Sequence, residues 1–162
     1  MTTEELMELM EERALGYRFL ARAFRTAPDP TFIEAVMSAS EANADGPLAP
    51  FYSETDGADR EQLRIDLAAD YNQLFLGMSA HPVAPYESVY TSPTGLMMQE
   101  ARDEVVALYR REGFSVDESM HLPEDHIAFE LGFMAGLIRN AMAALDAGDG
   151  AEAERLAAVQ ES

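Results

Sequence analysis

The longest apolar stretch of the sequence, residues 122–146, constrains the fold more than any other part of the chain. Pro123 and the acidic residues after it suit the first turn of a helix, where a missing amide hydrogen costs nothing and negative charge is favoured. Three faces follow the helical period: an apolar stripe, a small-residue stripe, and a side with aromatic residues. Their members are Ile127, Leu131, Met134, Ile138 and Met142; Ala128, Gly132, Ala135 and Gly136; and Phe129, Phe133 and Leu137. A helix that is apolar on most sides is usually buried, so we predict a central helix over residues 123–146.

Five further segments have helical periodicity or helical end signals, and they cover residues 3–26, 31–40, 58–76, 95–112 and 151–160. Thr3 is the expected cap of the first of these helices. We find no convincing strand, no internal repeat and no linker in the sequence. The pattern therefore predicts an all-α fold, a single-domain helical bundle over residues 1–162 with about six helices around the central helix.

Residues 77–93, with the sequence GMSAHPVAPYESVYTSP, have neither helical nor strand periodicity. Loops longer than about 12–15 residues without secondary structure are uncommon in compact domains and are often functional. We therefore predict a functional loop here, and a second loop over residues 114–121 that leads into the central helix.

The charge of the chain is extreme, with a formal net charge of −19 and arginine as its only basic residue. Such a surface repels nucleic acid and anionic membranes and attracts basic partners. An alternative of equal weight is that the acidity only confers solubility, or reflects a saline habitat or genome composition. Because no apolar run approaches the ~20 residues of a membrane span and the N-terminus is acidic, we expect a cytoplasmic protein without stable membrane insertion.

The sequence offers few residues for catalysis or metal binding. His121, His126 and Glu130 are candidate metal ligands, with His81 as one further nitrogen donor, but no HExxH motif and no cysteine is present. Ser88 lies outside a GxSxG motif, and no glycine-rich phosphate loop occurs. We therefore predict no catalytic residue, no metal and no cofactor, and keep a small metal-dependent helical enzyme using His121, His126 and Glu130 as the alternative.

Three motifs occur in order along the chain: YNQLFLG at residues 71–77, PVAPYESVY at 82–90, and LPEDH at 122–126. Together with RALGYRFLARAFRTAPDP at residues 13–30, they resemble the TorD/DmsD/NarJ family of cytoplasmic redox-enzyme maturation chaperones. The resemblance covers most of residues 13–140. It implies an all-helical, TorD-like fold and no enzymatic activity.

The resemblance also implies a partner and a site. Members of the family bind the twin-arginine signal peptide and the apo catalytic subunit of a molybdopterin oxidoreductase, aid cofactor insertion and prevent premature export. The residues that match the family's binding motifs are Tyr71, Leu74, Phe75, Pro85, Tyr86, Ser88, Tyr90, Asp125 and His126. By themselves, Asp125 and His126 are more typical of a helix cap with a hydrogen-bonded histidine at the edge of the core than of a binding site.

The chemistry of these residues agrees with a leader that carries two guanidinium groups and an apolar stretch. Carboxylates bind guanidinium groups bidentately, which makes Glu87, Glu124 and Asp125 candidate partners of the arginines. Aromatic and methionine side chains suit a groove for the apolar stretch. This interpretation requires the segment near residue 85 and the start of the central helix near residue 125 to fold side by side into one apolar, negatively charged cleft.

The sequence departs from the family in one respect. Family members usually continue for some tens of residues beyond the position where this chain ends, and the additional helices close the core. We therefore expect a shortened member, a fragment, or a chain that shares helices with its neighbours. Because missing helices leave apolar surface exposed, we also predict a homodimer.

Overall fold

The computed structural model describes residues 2–43 and 45–161, apart from the side chain of residue 118. Met1, Ala44 and Ser162, which belong to the predicted domain 1–162, lie outside the described residues. The described residues form eight α-helices, one 3-10 turn at Glu118–Met120, and no strand. The helices are α1 (Thr3–Arg25), α2 (Pro30–Ala42), α3 (Ala49–Thr55), α4 (Arg60–Phe75), α5 (Glu87–Thr91), α6 (Glu100–Arg111), α7 (Ile127–Asp146) and α8 (Gly150–Val159). The all-α class is confirmed, and the two short helices α3 and α5 are additional to the six predicted ones.

The chain divides into two compact units. The first consists of Met1–Arg25 together with Pro85–Ser162, and the second consists of Thr26–Ala84. Helices α1 and α5–α8 therefore belong to the first unit and α2–α4 to the second. The single domain over residues 1–162 stays a prediction.

The core of the first unit is built on α7, which packs against α1 and α8. Its buried side chains come from three helices and are Tyr109, Phe129, Phe133, Leu137, Ala141 and Leu156. The ring centroids of Tyr109 and Phe133 are 4.8 Å apart, and those of Tyr109 and Phe114 are 4.9 Å apart. Tilted aromatic pairs of this kind contribute about 0.5–1.5 kcal/mol beyond the burial of their area.

The central helix differs from the prediction in its start, and its sides are not equally buried. It begins at Ile127 and not at 123, because His126 caps it and the preceding residues form a turn. Phe129, Phe133 and Leu137 are buried, whereas Ile127 and Leu131 are only half-buried. The aromatic rings of α6 and of the loop after it explain this orientation, since they supply partners for the aromatic side of α7 and not for the Ile127–Leu131 side.

Other helix boundaries follow from caps and backbone conformation. Helix α1 begins with a capping box, in which Thr2 Oγ1 accepts from Glu5 N and Glu5 Oε2 accepts from Thr2 N, so the prediction of Thr3 as the cap is wrong. Helix α6 begins at Glu100 and not at 95, because Gly95 (φ 64°) and Met98 (φ 59°) have left-handed backbone that a helix excludes. Helix α5 replaces part of the structureless loop predicted over residues 77–93.

The second unit has a small core of Ile33, Met37 and Leu63 from α2 and α4. Asp29 and Asp59 cap these two helices by accepting backbone hydrogen bonds of 2.8 Å. The local sequence therefore fixes both helix starts.

One described helix, α7, is long and apolar enough to cross a membrane when judged by length and composition alone. The expectation that no apolar run approaches the length of a membrane span was therefore too strict. Core helices of soluble proteins pass the same test, and α7 buries its aromatic face against the rest of the first unit.

Candidate peptide-binding site

The segment near residue 85 and the start of α7 pair with each other in the first unit. Tyr86 and His126 form an isolated antiparallel β-bridge. Ile127 N donates to Pro85 O at 2.9 Å, and Glu87 N donates to Asp125 O at 3.0 Å. The adjacency that the sequence analysis required is present, and it brings Pro85, Tyr86 and Ser88 against Asp125 and His126.

Asp125 holds the neighbouring helices in place through its carboxylate. The side chain is fully buried, and its Oδ2 accepts a 3.0 Å hydrogen bond from Ser88 N in the first turn of α5. Ser88, also fully buried, accepts at Oγ a 3.1 Å hydrogen bond from Gln99 N, the residue before α6. Tyr86, the N-cap residue of α5, makes no side-chain cap bond. The carboxylate of Asp125, which is 37 positions after Ser88 in the sequence, caps this helix instead.

His126 is the N-cap of α7 and is 2% exposed. Its Nδ1 accepts a 3.1 Å hydrogen bond from Ala128 N, so the neutral ring carries its proton on Nε2. Burial lowers the pKa of His126, and the charge of Asp125 opposes that effect only in part. The Tyr86 ring meets the imidazole edge-on, with centroids 5.1 Å apart. The alternative interpretation, a capping histidine at the edge of the core, therefore describes the structural role of His126.

Glu124 is already paired within the chain. Arg102 Nε and Nη2 donate to the two carboxylate oxygens of Glu124 at 2.6 and 3.0 Å, and this bidentate pair lowers the pKa of Glu124. Tyr109 Oη donates a longer bond of 3.4 Å to Glu124 O. Of the three carboxylates proposed for the leader arginines, Glu124 is thus occupied, Asp125 is buried, and Glu87 is exposed.

Two buried carboxylate oxygens at this site have no hydrogen-bond partner among the described residues: Asp125 Oδ1 and Glu130 Oε1. Burial, and then the charges of Glu87 and Asp125, raise the pKa of Glu130 to about 7. Sequence analysis named Glu130 as a candidate metal ligand and did not name it as a binding residue. Its position one turn after the helix cap was the available signal, because that spacing places it beside His126.

The remaining predicted residues are distributed unevenly. Tyr90 is 65% exposed on α5. Tyr71, Leu74 and Phe75 lie on α4 in the second unit, where Tyr71 is buried against the Phe75 ring at 5.1 Å and Leu74 is 49% exposed. Leu74 is thus presented to solvent at the end of α4.

The candidate metal ligands do not form one group. His121 lines a cavity of about 570 Å³ together with Tyr109, Phe114 and Leu122, whereas His126 caps α7 through Nδ1. No group of three or more His, Asp or Glu side chains that could hold a metal ion occurs within residues 2–43 and 45–161. The geometry thus gives no support to the alternative of a metal-dependent enzyme.

Comparison with known proteins identifies the family of the chain. A family model described as "Nitrate reductase delta subunit" matches residues 37–162. The chain belongs to this family, and the resemblance to TorD/DmsD/NarJ proteins is confirmed. No solved structure gives a significant match.

Three of the curated relatives that match the chain carry the name chaperone protein TorD. The protein from Vibrio vulnificus (strain YJ016) is 35% identical over 80 residues, which are 49% of this chain and 37% of that protein. The protein from Photobacterium profundum is 36% identical over 87 residues, 54% of this chain and 40% of that protein. The protein from Vibrio cholerae serotype O1 (strain ATCC 39541 / Classical Ogawa 395 / O395) is 37% identical over 79 residues, 49% of this chain and 36% of that protein. The matched stretch is therefore well under half the length of these relatives.

Proposed function

We propose that the protein is a cytoplasmic maturation chaperone, without enzymatic activity, for a molybdopterin oxidoreductase. It binds the twin-arginine signal peptide and the apo catalytic subunit, aids cofactor insertion and prevents premature export. Membership of the family and the curated TorD chaperones among its relatives support this proposal.

The observation that carries the proposal is a pair of buried carboxylate oxygens, Asp125 Oδ1 and Glu130 Oε1, for which the described residues supply no hydrogen-bond donor. A buried acceptor without a partner costs about 1–3 kcal/mol, and more when it is charged. A guanidinium group supplies five N–H donors and a positive charge, so beside partly exposed Glu130 it provides the missing hydrogen bond and offsets the burial, and then the repulsion, that raise the pKa of that carboxyl. Exposed Glu87 is available for the second arginine of the leader.

The apolar part of a leader has a surface beside this site. The segment from Ser92 to Gln99 folds back on α5, because Gly95 N donates to Ser92 O at 3.1 Å and Gln99 N donates to Ser88 Oγ. It leaves large apolar side chains in solvent, and together with α5 these are Tyr90, Leu96, Met97 and Met98. Flexible methionine side chains adapt to varied apolar sequences, which suits a peptide-binding surface.

The test is a titration of a labelled twin-arginine leader peptide by fluorescence anisotropy. Replacing both arginines by glutamine is expected to weaken binding at least about tenfold, the loss of one charge-assisted interaction. Asp125→Asn keeps an oxygen acceptor for Ser88 N while removing the charge. Glu130→Gln removes the charge of the carboxyl group on α7 and keeps its size. Each is expected to weaken binding of the native leader and to have a much smaller effect on the glutamine peptide.

Glu154→Gln is the matched control, since it removes one exposed carboxylate from α8. It should leave the dissociation constant within about twofold of the wild-type value, because surface charges far from a ligand are largely screened. Equal affinity for the native and glutamine peptides, in the wild type and both site variants, would show that this site does not recognise the arginine side chains of the leader.

A further inference from the structure

Helix α1 carries an unusual stripe of charge along one flank. At about 100° per residue, every third or fourth position from the first turn to the last shares this flank. Its members in order are Glu4, Glu8, Glu11, Leu15, Arg18, Arg22 and Arg25. Three acidic residues thus precede one leucine, and three arginines follow it. Leu15 at the centre is 51% exposed.

The sequence of α1 places no opposite charges at helical spacing. Between Thr3 and Arg25 no acidic residue has an arginine three or four positions away, whereas Glu4–Glu8, Glu8–Glu11 and Arg18–Arg22 are like-charged neighbours at those spacings. Neighbours of like charge destabilise a helix by about 0.2–0.5 kcal/mol per pair, and opposite charges stabilise it by similar amounts. No ion pair between residues three or four positions apart can therefore form within α1.

The helix dipole does not account for the pattern. The dipole favours acidic residues in the first turn and basic residues in the last turn, and its effect is confined to those turns. Glu8, Glu11 and Arg18 lie beyond them. The helix dipole therefore does not explain the segregation of charge towards the middle of the helix.

The same helix is nearly neutral in a strongly acidic protein. It contains five acidic residues and four arginines, a net charge of 4 − 5 = −1, against −19 for the whole chain. Two copies of this protein repel each other through their net charge. That repulsion is smallest where α1 faces α1.

We infer that α1 binds α1 of a second copy in antiparallel orientation. In this arrangement Leu15 meets its counterpart near the two-fold axis, Glu11 faces Arg18, and Glu4 faces Arg25. A two-fold axis repeats each pair, because the same surface is used on both copies. Glu11 and Arg18 lie about 6 Å and about 4.5 Å from Leu15 along the helix axis, so their long side chains reach across two helices packed about 8–10 Å apart.

The experiment is sedimentation velocity of the full chain with two charge-reversed variants. One variant carries Glu4→Arg and Glu11→Arg, and the other carries Arg18→Glu and Arg25→Glu. The wild type is expected to dimerise at micromolar concentration, whereas each variant alone is expected to be a monomer because like charges then face each other. An equimolar mixture of the two variants is expected to restore a 1:1 dimer, which a misfolded variant cannot do.

A control variant with Glu154→Arg and Arg139→Glu reverses the same kinds of charge on α8 and α7 and should dimerise like the wild type. Raising NaCl from about 0.15 to about 1 M is expected to weaken the wild-type dimer about tenfold, since the contact depends on exposed ion pairs. A wild-type chain that is monomeric at about 100 μM in 0.15 M NaCl, or variants that dimerise as the wild type does, would overturn the inference. So would a variant mixture that remains monomeric.

Discussion

Replacing Glu130 by glutamine removes a carboxyl group whose pKa the fold raises from 4.5 to about 7. The folded protein therefore holds this proton more tightly than the unfolded chain does. The stability that the protonated group contributes is fully present below pH 4.5 and is lost as pH rises through about 7. The gap between these values corresponds to at most about 3.4 kcal/mol.

Solvent reduces this magnitude, because the Glu130 side chain is partly exposed. We therefore expect about 1–2 kcal/mol. At pH 5, Glu130→Gln should have nearly the same free energy of unfolding as the wild type, since a neutral amide replaces a neutral acid. At pH 8 the variant should be more stable by about 1–2 kcal/mol, because the wild type then carries a partly buried charge without a partner.

The assay is urea unfolding followed by circular dichroism at pH 5, 6, 7 and 8. Taking the difference between variant and wild type at each pH cancels the titration of the other 29 acidic residues, which both proteins share. Glu154→Gln provides the reference for loss of an exposed carboxylate and should show no such rise. A difference that stays flat across this range, or that favours the wild type at pH 8, would refute the reasoning.

Four other outcomes are expected. Asp125→Ala should lower the free energy of unfolding by about 1–3 kcal/mol in the same assay, because it leaves Ser88 N without an acceptor, while Asp125→Asn should cost less. Phe133→Ala should cost about 3–5 kcal/mol in urea unfolding, because it empties the centre of the aromatic cluster. Met98→Gly should raise the free energy of unfolding by about 0.5–1 kcal/mol, because glycine adopts a φ of 59° without strain; a loss of stability would contradict this. Leader binding should strengthen up to about tenfold from pH 6 to pH 8 by anisotropy, because Glu130 must ionise to bind a guanidinium group, and Glu130→Gln should abolish this dependence.

The sequence predicted what depends on local pattern. The periodicity of the stretch predicted as a helix over residues 123–146 identified the central helix, which forms over Ile127–Asp146. The motifs around residues 85 and 125 predicted that these segments meet, and their backbones pair directly. Their role in peptide binding stays a prediction.

What the sequence did not reveal depends on contacts between distant residues. Helix α5 has only five residues, and its first turn is held by Asp125, 37 positions later than Ser88. Arg102 neutralises Glu124 from another helix, so no local pattern could show that this carboxylate is occupied. The buried state of Glu130 likewise depends on which side of α7 the aromatic rings of α6 and its loop approach.

The first unit consists of two segments that are separated in the sequence by Thr26–Ala84. During synthesis, α1 leaves the ribosome roughly 100 residues before α7, which at about 5–20 residues per second is a delay of about 5–20 s. Throughout that interval the apolar side of α1, including Met10, lacks the helix that later covers it. The nascent amino-terminal segment is therefore a stretch that a cell must shield from aggregation before its own folding can protect it.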